Sequence, residues 1–295
     1  MTEARVTSIS AVEFGVPDLA QSAAFYEETW ALSPILRTQT SCYFRATGAD
    51  YFAFAIHETP SPCFVRMRME AQDKASVNGL LERVRKAGGA VKGAAGPLAT
   101  PGGGYGFSFL DPEGREFVIF CGGDRQVEGD VGSDRPHRLS HVVLNSVDLD
   151  RSTAFFEAAL GFRLRDRTAK ASFLGCNADH HSLALTNRKN SLVGHIAFDL
   201  ADTDAVMRAC GRVKRAGLGL EWGVGRHGTG DNVFAYFVDP DGFVIEYTCE
   251  MEQVDDATYQ PGSPATISRA AHADMWGLAP PPTERFLKAL MGPGG

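Results

Sequence analysis

The chain has 295 residues, a formal net charge of −7 and 44% hydrophobic residues, ample for two packed modules. The acidic balance argues against nucleic-acid binding, which calls for a basic face. No apolar stretch is long enough to cross a membrane and Met1–Ser10 carries no signal-peptide pattern, so a cytoplasmic location is expected.

The predicted elements, taken in chain order, form two copies of one module. Ile9–Tyr26 reads as a strand running into a helix. Strands follow, then a helix ending Leu81-Glu-Arg-Val-Arg-Lys-Ala-Gly88, a strand, the turn Phe109-Leu-Asp-Pro-Glu-Gly114 and a last strand. The Gly/Pro-rich stretch Ala94–Gly106 has the composition of a phosphate loop. It lacks the Gly-Lys-Ser/Thr ending and the strand-to-helix setting, so that reading is dismissed. Gly122–Pro136, polar and rich in breakers, reads as the linker. The pattern then repeats: Leu139–Phe156 matches Ile9–Tyr26, Cys210–Gly217 matches Leu81–Gly88, and Phe237-Val-Asp-Pro-Asp-Gly242 matches the first turn. A repeat of about 125 residues is ordinary for a domain. Helix Ser152–Ala159 keeps its apolar residues on one face, with Asp148 or Asp150 available as cap. In each turn Pro and Gly supply the fixed and positive φ that a tight hairpin needs. The expected division is 5–122, 137–250 and a tail, 251–295.

Three residues interrupt apolar strands of the second copy: His141 in Leu139–Leu144, His195 in Leu192–Phe198 and Glu246 in Phe243–Tyr247. Burying such groups costs several kcal/mol unless something pairs with them. Two neutral imidazoles and a carboxylate are the ligands of the facial triad, which holds Fe(II) and leaves positions open for substrate and O2. A single buried histidine is more often a satisfied core residue, but three in register with a repeat are not. In the first copy Ala11 is aligned with His141, Arg66 with His195 and Phe120 with Glu246. None of these rebuilds the set, so a metal is expected in the second module alone. Cys249, three residues after Glu246, points to the other strand face and is a poor fourth ligand. The six cysteines are scattered without Cys-x-x-Cys spacing and read as reduced, mostly buried thiols.

These residues, with Asp179-His-His-Ser-Leu-Ala-Leu185, Gly225-Arg-His-Gly228 and Tyr236–Gly242, resemble the type I extradiol ring-cleaving dioxygenases of the vicinal oxygen chelate superfamily over roughly residues 5–250. The resemblance implies an α+β fold of tandem βαβββ modules forming two open barrel-like domains. It implies His141, His195 and Glu246 as ligands of Fe(II), with Mn(II) also suited, and O2 as co-substrate. The implied activity is extradiol (meta) cleavage of a substituted or bicyclic catechol. His181 would support the oxygen and act as acid or base, for which imidazole is suited. His227 and Tyr236 would hydrogen-bond the diol. His180 reads as an exposed loop histidine. Tyr236 shares a face with Phe234 and Val238, either inward or outward.

Selectivity is expected from Phe173–Leu185, Phe198 and the tail. Trp276 and Leu278 suggest that the tail packs on its own barrel mouth or on a partner, with Thr283–Met291 a short helix and Gly292–Gly295 a loose end. A homo-oligomer is expected. Two other readings remain open: a glyoxalase-like metal-dependent isomerase and a non-catalytic small-molecule binder on the same scaffold. Isomerases of that kind usually add a carboxylate or glutamine and lack the set His181, His227 and Tyr236.

Overall fold

The computed structural model describes residues 4–129, 133–263 and 273–293. The first half contains β1 (Val6–Val16), α1 (Leu19–Ala24), β2 (Ser33–Arg37), β3 (Ser41–Arg45), β4 (Phe54–Glu58), β5 (Cys63–Ala71), α2 (Lys74–Lys86), β6 (Ala90–Val91), β7 (Gly96–Pro97), β8 (Tyr105–Leu110) and β9 (Glu116–Cys121). The second contains β10 (Arg138–Ser146), α3 (Leu149–Leu160), β11 (Arg163–Arg167), β12 (Ala171–Gly175), β13 (Leu183–Asn187), β14 (Val193–Asp199), α4 (Thr203–Arg215), β15 (Trp222–Arg226), β16 (Val233–Val238) and β17 (Val244–Cys249). One further helix, α5 (Glu284–Ala289), lies in the tail.

Each half forms one mixed sheet, and neither sheet closes into a barrel. The strand orders are β2-β3-β4-β1-β5-β9-β8-β6 and β11-β12-β13-β10-β14-β17-β16-β15. Each sheet holds two βαβββ units, so the chain carries four where the sequence repeat displays two. The first strands of paired units, β1 with β5 and β10 with β14, run antiparallel at the sheet centre. The helices form because their apolar residues fall three or four apart. Val77, Leu80, Leu81 and Val84 of α2, and Ala205, Val206, Ala209 and Val213 of α4, are all buried. Asp148 caps α3 by accepting from the Arg151 N–H at 3.0 Å, and Gly161 ends it at φ +73°.

The two halves share one core. Trp30 stacks on Tyr247 with ring centroids 3.7 Å apart, and Phe14 on Phe243 at 3.9 Å. The Asp-Pro-x-Gly turns clasp the opposite module reciprocally. Ser152 donates to Glu113 at 3.0 Å, and Ser22 donates to Asp241 at 2.6 Å. Among the described residues no helix is long and apolar enough to cross a membrane. All six cysteines are free, with Cys63 exposed.

The tail partly departs from expectation. Its helix packs down, with Phe286 buried, but Leu278 is 78% exposed and Trp276 39%. Trp276 lies under the Arg226 guanidinium, 5.1 Å from ring centre to carbon, which accounts for its partial exposure. The expected loose end at Gly292–Gly295 lies partly outside the described residues.

Candidate metal centre

Strand register assembles the site. His141 on β10 pairs with Ala197 on β14, Ala197 with Glu246 on β17, Glu246 with Tyr236 on β16, and Tyr236 with Trp222 on β15. The five side chains therefore share one rung and one face, because Cβ direction alternates along a strand. His195 lies two residues before Ala197 and points to that same face. The small Ala197 leaves open the space between His141 and Glu246.

The ligand atoms converge. Glu246 Oε2 lies 3.2 Å from His141 Nε2 and 3.1 Å from His195 Nε2, and the two nitrogens are 3.4 Å apart. All three residues are buried. Two ligands at right angles around one ion, with bonds of about 2.1 Å, stand about 3.0 Å apart. The two contacts to Glu246 are nevertheless not hydrogen bonds in direction: both its oxygens are buried without a hydrogen-bond partner. Lone pairs aimed at a common point explain short distances without hydrogen bonds. His141 Nδ1 meets Ser140 Oγ at 3.3 Å, which leaves Nε2 for the centre.

The electrostatics point the same way. Burial pushes Glu246 up, but His141 and His195 beside it hold it well below the usual carboxylate range. Burial in turn holds His195 below its ordinary value, despite Glu246. The two directions conflict, since neutral imidazoles cannot supply the charge that so depresses Glu246. Burial decides for a neutral His195. The positive charge Glu246 needs is then one a cation supplies, and the donor set fits a divalent metal.

The other candidates line the same cavity of about 290 Å3. The His181 ring lies 4.7 Å from that of His141, and burial holds it well below its ordinary pKa. Tyr236 lies 5.2 Å from His195, ring to ring. Its hydroxyl is 2.9 Å from His227 Nε2, and His227 Nδ1 is 3.0 Å from the Ala273 carbonyl. A carbonyl only accepts, so His227 Nδ1 donates and Nε2 accepts the tyrosine proton. Burial first, then Glu246, raises the Tyr236 pKa well above its ordinary value, so the phenol stays protonated. Phe234, Tyr236 and Val238 do share a face, and Phe286 of α5 packs on it.

Several sequence readings change. His180 is not an exposed loop histidine but fully buried, because the tail folds over it and Tyr259 contacts its Nε2 at 3.0 Å. Phe198 is a core residue rather than a cavity wall. It is one residue out of phase with Ala197 and packs on Trp30. Phe173, Ala184 and the tail residue Ala273 do line the cavity, with Val143, Thr168 and Thr186. The residue opposite Glu246 is Val118, not Phe120: β9 pairs Val118 with Arg68 as β17 pairs Glu246 with Ala197. Counting from the matched turns gives the same answer, and Phe120 sits one pleat farther along. Sequence reasoning also missed Arg68, which stands where the second module has Ala197. Its guanidinium lies 4.6 Å from the Phe120 ring centre and 5.2 Å from that of Phe52, and it donates to Thr100 at 2.8 Å. No short motif marks Arg68; only the strand register does.

Comparison with known proteins agrees with this geometry. The model of the Glyoxalase/Bleomycin resistance protein/Dioxygenase superfamily matches residues 138–247. Metapyrocatechase 2 of Cupriavidus necator is 31% identical over 50% of this chain and 53% of its own length. An iron-dependent extradiol dioxygenase of Rhodococcus jostii is 30% identical over 59% of this chain and 65% of its own. The chain thus spans between about half and two thirds of these two curated relatives. The crystal structure of a Mn(II)-bound glyoxalase from Novosphingobium aromaticivorans superimposes with a TM-score of 0.89 at 33% identity, over 95% of this chain and 94% of that one. The shared strand order, the buried triad and these matches together mean that the chain belongs to the Glyoxalase/Bleomycin resistance protein/Dioxygenase superfamily.

Proposed function

We propose that the chain is an extradiol dioxygenase that cleaves a substituted or bicyclic catechol with O2, breaking the ring C–C bond beside the diol and adding one oxygen atom to each of its two carbons. The observation that carries this reading is the convergence of two buried histidines and one buried carboxylate on the floor of a cavity that also holds His181, His227 and Tyr236. His141, His195 and Glu246 would hold Fe(II), or Mn(II). When bound, such an ion supplies the Lewis acidity that acidifies a diol hydroxyl and the redox capacity that lets the diol react with O2.

The protein's own groups then divide the work. Tyr236 donates its O–H to His227 as a hydrogen bond, so its oxygen presents lone pairs to a diol hydroxyl. The Ala273 carbonyl fixes His227 in the tautomer that accepts. His181, kept neutral by burial, would take a proton from a diol hydroxyl and return it as the ring opens. Val143, Phe173 and Ala184 flank the aromatic ring and exclude water. A cavity of about 290 Å3 stands at the small end of ligand pockets, which suits one or two rings.

The chemistry belongs, in this proposal, to module 137–250, with Ala273 of the tail in the cavity wall and 5–122 as a metal-free partner. A cytoplasmic homo-oligomer is proposed, supported by six unpaired cysteines and the exposed apolar Val127 and Leu278. The glyoxalase-like isomerase reading is favoured by the name of the Novosphingobium relative. Against it, no fourth His, Cys, Asp or Glu joins the triad among the described residues.

Anaerobic loading with Fe(II) or Mn(II), metal analysis, then O2 uptake on a catechol panel decides the matter. One metal per chain and a yellow ring-opened product are expected, and His195→Ala should lose both. Metal without uptake on any diol would move the assignment to an isomerase. Activity retained in His195→Ala would sink the triad.

A further inference from the structure

Behind His181 lies a polar chain that the reaction above does not use. His180 is fully buried. Its Nδ1 is 3.1 Å from Nδ1 of His181, and its Nε2 is 3.2 Å from Asp166 Oδ2 and 3.0 Å from the Tyr259 hydroxyl. Tyr259 in turn donates to Asp166 Oδ1 at 3.3 Å, and the Gly262 N–H donates to the same oxygen at 2.9 Å. Asp166 and Tyr259 thus form an anchor built from β11 and the tail.

The donor directions follow from what each group can do. Burial pushes the Asp166 pKa up, but the contact with His180 and the N–H of Gly262 hold it below the usual range, so it only accepts. His180 Nε2 must therefore donate. His180 has no contact with solvent and shares Asp166 with the Gly262 N–H and the Tyr259 hydroxyl, an enclosure that favours the uncharged ring, and an uncharged imidazole that donates from Nε2 has only a lone pair at Nδ1. Two lone pairs do not meet at 3.1 Å, so His181 Nδ1 carries a proton and donates. Its Nε2 is then bare. The ring is also held in place: a Cβ on Gly230 would lie 2.9 Å from His181 Cε1 and 3.0 Å from Nδ1.

We propose that His180, anchored by Asp166 and Tyr259, is a positioning residue that fixes His181 in the Nδ1–H tautomer and presents its basic Nε2 to the metal cavity. This rests on the dioxygenase reading for its catalytic consequence, not for its geometry. It extends to a buried base the logic by which a nucleophile's histidine is oriented by a third group. The tail thereby sets the state of a cavity residue through His180.

The tautomer is measured directly by nitrogen NMR of the full chain, labelled with 15N-histidine and free of paramagnetic metal, with His181→Gln assigning the signal. The expected wild-type result is a proton on His181 Nδ1. In His180→Phe it should move to Nε2, whereas His180→Asn, which offers Oδ1 near the lost nitrogen, should retain Nδ1–H. In the metal-loaded enzyme, His180→Phe should lower kcat on a catechol about 10- to 100-fold at unchanged KM and metal content, with His180→Asn recovering most of it. A wild-type His181 protonated on Nε2 overturns the proposal without any variant, which matters if His180→Phe does not fold. A tautomer or kcat unmoved by His180→Phe overturns it too. An enzyme that has the expected tautomers yet cleaves no catechol would overturn the dioxygenase reading and leave the positioning role standing.

Discussion

Glu246 is fully buried with neither oxygen hydrogen-bonded, an arrangement that costs several kcal/mol in a chain without a bound cation. Glu246→Gln removes that charge, so the metal-free protein should gain about 1 kcal/mol or more in urea unfolding, while metal affinity falls steeply in calorimetric titration. A loss of stability instead would mean that a cationic histidine already satisfies the carboxylate. His181 has a different part and predicts the opposite split: His181→Phe should keep the metal and lower kcat by about 10²- to 10⁴-fold, the usual worth of a general acid or base. Full loss of metal in that variant would make it a ligand rather than a proton carrier.

At the scale of elements, the same strand pairing builds a site in one sheet and fills it in the other. Glu13 and Arg66 of the first sheet face each other as Val143 and His195 do in the second. There Arg68 occupies the rung position held by Ala197, with Phe52 and Phe120 against its guanidinium. Grafting the ligands alone should therefore fail. In a His195→Ala background, Ala11→His with Arg66→His and Val118→Glu should bind no Mn(II) in calorimetry. Adding Arg68→Ala should open the space and give measurable binding. Equal binding with and without Arg68 would show that the guanidinium is no obstacle.

Across the whole molecule the two sheets are locked by reciprocal turns, and one of these locks titrates. Asp239 accepts from Tyr26 at 2.6 Å, and burial raises its pKa to about 7 from an ordinary 3.8. A carboxyl whose folded value exceeds its unfolded one favours the fold most when both states are protonated. That stabilisation fades as pH rises between 3.8 and about 7. The difference in unfolding free energy between wild type and Asp239→Asn should therefore drift against the wild type over that window and then level off. A flat difference would mean that the three donors to Asp239 already keep it ionised at low pH.

The repeat, the turns, the helix faces and the buried His-His-Glu group were legible in the sequence because each depends on local spacing: period 2, period 3.6, or a Pro and Gly at fixed offsets. His141, His195 and Glu246 stood out because polar groups interrupt apolar runs. What the sequence hid was every relation set by register between strands far apart in the chain. Phe120 was aligned where Val118 belongs, since a count along one strand says nothing of its partner. His180 was read as exposed because Tyr259, 79 residues on, is what covers it. Local patterning determined which residues seek burial and which polar groups need a partner there. Only the tertiary structure decided which of them meet, because hydrogen-bonded register fixes neighbours across a sheet that chain distance cannot.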